Sequence, residues 1–128
     1  MNNFNKTPAQ KINILCIEDD KDTCELISIL FPEYKVVFAH SFNEAVSLLA
    51  ERDFDLIITD NWLPDGSGLD ICRKIRAASS FVPIVFASGV GQKSEIEKAV
   101  NAGANKYLVK PYEPMKLQEI VKELIENP

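Results

Sequence analysis

The chain has 128 residues, 46% of them hydrophobic, which suits one compact domain with a single buried core and leaves no room for a second. Its formal net charge of -5 argues against nucleic acid as a direct partner, because binding a polyanion draws on Lys and Arg displacing counterions, and favours a cation as ligand. No stretch approaches the roughly 18 consecutive apolar residues of a membrane span, and residues 1–11 lack the apolar run of a secretory signal; we expect a flexible lead at 1–11 and one soluble, cytoplasmic domain over 12–128.

In chain order, a β-rich run at 12–17 is followed by a helix over about 22–31, which Pro32 closes. A second strand at 34–39 leads to Ser41 and Glu44, a Ser-x-x-Glu capping box that opens a helix with Ala45, Leu48 and Leu49 on one face. The third strand, 56–59, precedes a helix that starts near Gly68 and buries Leu69, Cys72 and Ile75. After a fourth strand at 84–87, Ser94 and Glu97 repeat the capping pattern for a helix ending at Gly103 as a left-handed cap. The last strand, 106–109, is followed by Pro114 in the first turn of a helix whose stripe is Leu117, Ile120, Val121, Leu124 and Ile125. Five strands alternating with five helices predict an α/β fold, a parallel sheet between two helical layers. Cys16, Cys24 and Cys72 are scattered, with no Cys-x-x-Cys pair, and read as small core residues.

In an open parallel sheet, ligands bind at the carboxyl ends of the strands, where the strand order reverses. The unusual residues fall there. Glu18, Asp19 and Asp20 follow the first strand, Asp60 the third, Ser88 and Gly89 the fourth, and Lys110 and Pro111 the last. Carboxylates gathered from two strand ends repel one another, and a hard divalent cation relieves the repulsion. Mg²⁺ takes one or two carboxylates and keeps positions for water and phosphate oxygens, which suits a transfer site. Lys110 adds a positive charge able to pair with Asp60 or with phosphate, and Ser88 offers a hydroxyl donor. Phosphoryl transfer asks for positioning and charge compensation, and a carboxylate can be its nucleophile.

At these residues the sequence resembles the receiver domains of bacterial two-component response regulators, along nearly the whole chain from Ile12 to Ile125. The stretches that carry the likeness are Ile-Leu-Cys-Ile-Glu-Asp-Asp at 14–20, Asp-Leu-Ile-Ile-Thr-Asp-Asn-Trp-Leu-Pro-Asp-Gly-Ser-Gly at 55–68, Pro-Ile-Val-Phe-Ala-Ser-Gly at 83–89 and Gly-Ala-Asn-Lys-Tyr-Leu-Val-Lys-Pro at 103–111. The resemblance implies a doubly wound, flavodoxin-like sheet of order 2-1-3-4-5. It further implies that Asp60 is the phosphoacceptor, and that Glu18, Asp19 and Asp60, with the main-chain carbonyl of Trp62, hold Mg²⁺, for which Mn²⁺ can substitute. Ser88 and Lys110 correspond to the hydroxyl and amine that contact phosphate, and the Lys110-Pro111 bond to a cis peptide. Tyr107 corresponds to an aromatic that turns with phosphorylation and remodels the face of the fourth helix, fifth strand and fifth helix. The implied partners are a sensor histidine kinase or histidine phosphotransfer protein as donor and a downstream protein effector. Such a domain catalyses its own phosphorylation and slow dephosphorylation and is not otherwise an enzyme.

Asp20, outside the metal set, is expected to cap the first helix. Ser88 stands where Thr is commoner in the family, a change that keeps the hydroxyl. Trp62, two residues past Asp60, is bulky for its site and is expected to shield an acyl phosphate from water. His40 reads as a surface or helix-entry residue, and the Pro-Asp-Gly-Ser-Gly stretch at 64–68 as a turn into the third helix, since it lacks the Gly-Lys-Ser/Thr ending of a P-loop. Three other readings compete. An Asp-nucleophile phosphatase needs a second acid where Trp62 stands; a flavin module would have its phosphate repelled by the acids at 18–20; a phosphate-independent docking module would not need the full charge set.

Overall fold

The computed structural model describes residues 11–126. The elements are β1 (Asn13–Ile17), α1 (Lys21–Leu30), β2 (Lys35–Ala39), α2 (Phe42–Glu51), β3 (Leu56–Asp60), β4 (Trp62–Leu63), β5 (Gly66–Ser67), α3 (Gly68–Ala77), β6 (Ile84–Ser88), α4 (Lys93–Ala102), β7 (Lys106–Val109) and α5 (Pro114–Glu126). The five longer strands form one sheet of order β2-β1-β3-β6-β7, all neighbours parallel. This is the expected order, renumbered because β4 and β5 form a separate two-stranded antiparallel ribbon that pairs Trp62 with Ser67 and Leu63 with Gly66. The predicted turn at 64–68 does lead into α3, with the turn itself at Pro64 and Asp65 as the ribbon's tip and the rest forming β5 and the first residue of the helix. The predicted lead at 1–11 lies outside the described residues except for Lys11.

Strands β1, β3 and β6 are buried along almost their whole length, as continuous apolar runs covered on both faces must be. Because successive side chains point to opposite faces, the core divides in two. Leu15, Ile57 and Phe86 face Ala45 of α2, Ile71 and Ile75 of α3 and Ala99 of α4. Ile14, Leu56 and Val85 face Ile27 of α1 and Leu117, Ile120 and Val121 of α5. The α5 stripe thus packs on the sheet as its period predicts. In α3 the predicted Leu69 is half-buried, and Ile71 takes the fully buried place beside Cys72 and Ile75.

The helix ends follow the predicted chemistry except at α4. Asp20 caps α1 by accepting from the Thr23 N–H at 2.9 Å and from its hydroxyl at 2.7 Å. Ser41 caps α2 through the Glu44 N–H at 3.1 Å, and Ser67 caps α3 through Asp70. For α4 the Ser94 and Glu97 box is corrected: the helix begins at Lys93, Gln92 is the N-cap, and no side chain bonds the cap. Ser94 already lies inside the first turn, where a box cannot form. Gly103 ends α4 in the left-handed region at φ 113°, as expected.

Candidate functional site

The strand order reverses between β1 and β3, and the acidic residues meet above that crevice. Glu18 directly follows β1, Asp60 ends β3, Ser88 ends β6 and Lys110 directly follows β7, so the four parallel strand ends deliver these side chains to one edge. Glu18 is 4% exposed, Ser88 fully buried, Asp60 half-buried and Asp19 exposed. Glu18, Asp19 and Asp60 each offer one carboxylate oxygen, and these oxygens lie within 4.8 Å of one another. Three hard oxygen donors so close, one of them open to solvent, fit a divalent cation that keeps part of its water shell.

Lys110 bridges the acids. Its Nζ donates to Glu18 Oε1 at 2.7 Å and to Asp60 Oδ2 at 3.2 Å. Burial alone would push this ammonium down, but the hydrogen bond to Glu18 and the charge of Asp60 outweigh it and hold the group above the ordinary lysine value. It stays charged across the physiological range. The other Glu18 oxygen, Oε2, accepts the Asp20 N–H at 3.1 Å, so this buried carboxylate is held on both sides. Sequence reasoning paired Lys110 with Asp60 and missed Glu18, 92 residues away, which is the shorter contact. Lys110-Pro111 is cis, as expected.

Around this centre the chain is tied tightly. The Lys110 N–H donates to the Ser88 carbonyl at 2.7 Å, joining the ends of β6 and β7. Ser88 Oγ accepts the Val90 N–H at 3.3 Å, and the Val90 carbonyl accepts the Tyr107 hydroxyl at 2.5 Å. Tyr107 also stacks on Phe86, with ring centroids 5.4 Å apart. Gly68 presses against Asp60: a Cβ there would overlap the Asp60 carbonyl oxygen, so the close approach of α3 to the site requires glycine. Trp62 donates a long N–H contact of 3.4 Å to Asp60 Oδ1, and its side chain is 66% exposed. His40 is exposed, as expected of a helix-entry residue, yet its Nδ1 lies 3.0 Å from the Glu18 carbonyl and its ring stacks on Phe38.

Two residues with structural weight here escaped the sequence reading. Asp65, at the ribbon tip, accepts the Phe42 N–H at 2.6 Å and the Asn43 N–H at 3.0 Å. Arg76 anchors the far end of α3. Each acts across more than twenty residues, beyond any local pattern, although the Asp in Pro-Asp-Gly-Ser-Gly was visible as a turn former.

Residues 14–122 match the response regulator receiver domain family. The chain is 34% identical over 116 residues to the uncharacterized transcriptional regulatory protein YclJ of Bacillus subtilis, covering 89% of this chain and 51% of that one. It is 36% identical over 109 residues to the response regulator protein PilR of Pseudomonas aeruginosa, covering 84% of this chain and 24% of that one. A two-component response regulator from Clostridium difficile superimposes with a TM-score of 0.86 at 30% identity, covering 91% of this chain and 98% of that one. The chain belongs to the receiver-domain family of two-component response regulators, and its sheet order and flanking helices are those of the fold. It spans about half the length of the first of these curated relatives and about a quarter of the second. No described helix is long and apolar enough to cross a membrane.

Proposed function

We infer that this receiver domain is a phosphoacceptor switch in which Asp60 takes a phosphoryl group from a phosphohistidine donor with Mg²⁺ bound to Glu18, Asp19, Asp60 and the Trp62 carbonyl. The observation that carries this reading is the Lys110 ammonium set between Glu18 and Asp60, beside a trio of carboxylate oxygens. When bound, the metal supplies the positive charge that lets an anionic donor approach an anionic acceptor. An Asp60 oxygen attacks phosphorus, the donor's P–N bond breaks, and the imidazole leaves with the electron pair. Lys110 keeps its charge beside the acceptor throughout, and Ser88 donates its hydroxyl to a phosphoryl oxygen.

That turn of Ser88 gives up the bond it accepts from the Val90 N–H, and the carbonyl of the same residue holds the Tyr107 hydroxyl. Loosening one end of this pair frees Tyr107 to rotate and remodels the α4-β7-α5 face for a downstream protein effector. If Tyr107→Ala left phosphorylation-dependent effector binding unchanged, the coupling would be wrong. We place the domain in the cytoplasm, in contact with a sensor histidine kinase or histidine phosphotransfer protein rather than with nucleic acid. Its catalysis is limited to its own phosphorylation and slow dephosphorylation.

The chain's single tryptophan, beside Asp60, gives a direct test. Trp62 fluorescence should respond to Mg²⁺ and then to acetyl phosphate, and Lys110→Ala should slow the second change by about a hundredfold or more, as loss of one charge-stabilising donor does. A Lys110→Ala rate equal to that of the parent would remove the ammonium from the chemistry. Trp62 should also shield the acyl phosphate, so Trp62→Asn, followed by mass, should lose its phosphoryl group faster than the parent.

A further inference from the structure

The geometry points to Asp65 as a positioning residue for the phosphoacceptor loop, a clamp that fastens the β4-β5 ribbon to the N-terminus of α2 and so sets the place of Trp62 beside Asp60. This rests on the phosphoacceptor reading above and deepens it.

The ribbon leaves Asp60 and returns to Gly68, and both its ends are tied at the site: the Gly68 N–H donates to the Asn61 carbonyl at 2.9 Å, and Gly68 itself abuts Asp60. The ribbon is too short to hold itself. It has two residues per strand, and an isolated two-stranded hairpin is marginal in water even when longer. Its tip is instead fixed from outside. Both carboxylate oxygens of Asp65 are engaged, Oδ1 by the Phe42 N–H at 2.6 Å and Oδ2 by the Asn43 N–H at 3.0 Å, the first two donors of α2. A carboxylate is favoured there both by those unpaired donors and by the helix dipole. Next to it, Gly66 abuts the Phe42 side chain, where a Cβ would stand 2.6 Å from Cδ2, so glycine is what lets the ribbon come this close to the helix.

This cap is not the one α2 needs locally. Ser41 already serves as N-cap through Glu44, on a different N–H. Asp65 therefore adds a tie between two segments 23 residues apart, and the residue it steadies is Trp62, whose N–H contacts Asp60 and whose carbonyl is the proposed metal ligand. Loss of the clamp leaves the acidic trio intact and loosens the loop that completes it.

Ser41 supplies the control, because Ser41→Ala removes a cap from the same helix without touching the ribbon. Asp65→Ala, Asp65→Asn and Ser41→Ala are compared in the full chain by thermal melting, by Mg²⁺ affinity from Trp62 fluorescence, and by amide exchange at Trp62 and Leu63 without metal. The expected result is a lower Tm for both alanine variants. Mg²⁺ affinity should fall about tenfold in Asp65→Ala alone, the usual scale for losing a group that orients a metal ligand. Exchange at Trp62 and Leu63 should quicken in that variant alone, and Asp65→Asn, with one acceptor oxygen left, should fall between. Equal behaviour of Asp65→Ala and Ser41→Ala in affinity and exchange would overturn the clamp. A parent that ignores Mg²⁺ would overturn the phosphoacceptor reading instead, and the exchange data would still decide whether Asp65 holds the loop.

Discussion

Arg76 directs all of its guanidinium N–H groups to neutral acceptors. Nε and one amino group bond the Gly103 carbonyl at 3.1 and 2.8 Å, the other amino group bonds the Ser80 and Val82 carbonyls, and Asn105 Oδ1 takes the last N–H. The side chain stitches the C-terminal end of α3 to the loops before β6 and β7. Arg76→Ala would strand several carbonyls at once, and we expect a loss of about 2–3 kcal/mol in urea unfolding. Arg76→Lys should not restore it, since one ammonium cannot span acceptors laid out for a planar fork. A loss below about 0.5 kcal/mol would mean that water replaces these bonds without cost. The three cysteines are free and buried, and burial pushes the Cys72 thiol up to about 11. Since the folded value lies above the ordinary 9.0, its contribution to stability is complete below that pH and is lost as pH rises towards 11. Alkylation at pH 8 should therefore be negligible in the native protein and complete at all three sites after denaturation; rapid native labelling would show that the core opens.

At the level of elements, the caps of α1 and α2 set an acid limit. Hydrogen bonds from Thr23 hold the Asp20 carboxyl below its ordinary 3.8, and bonds from the Asn43 and Phe42 N–H groups do the same for Asp65. A depressed folded value means that the stabilisation is present above about pH 3.8 and lost as pH falls through the folded values. Asp20→Ala should accordingly narrow the gap in Tm between pH 6 and pH 3; an unchanged gap would show that other carboxylates govern acid unfolding. These elements also show what could be read from the chain. The α5 stripe, the apolar β3 and the Ser41 cap were legible because period and cap are local signals. The ribbon was not, because two-residue strands carry no period, and the α4 box misled because Ser94 satisfied a pattern that the chain does not use. The β6-α4 loop is set in part by contacts across the fold, Val90 with Tyr107 and Gly91 against Val109. The identities of Glu18, Asp60 and Lys110 were plain at strand ends, whereas the bond between Glu18 and Lys110 depends on closure of the whole sheet.

Across the whole molecule, two apolar faces cover one parallel sheet, and the covered strands end together at an acidic edge of an acidic protein. The sheet brings like charges together, and Lys110 offsets part of that charge; under the proposed function a divalent metal offsets the rest and makes the edge receptive to one more anion. The most direct measurement is intact mass after incubation with Mg²⁺ and acetyl phosphate, for the parent and for Asp60→Asn. The parent should gain the mass of one phosphoryl group only when Mg²⁺ is present, and Asp60→Asn should gain none. A gain without metal, or an equal gain in Asp60→Asn, would contradict the account.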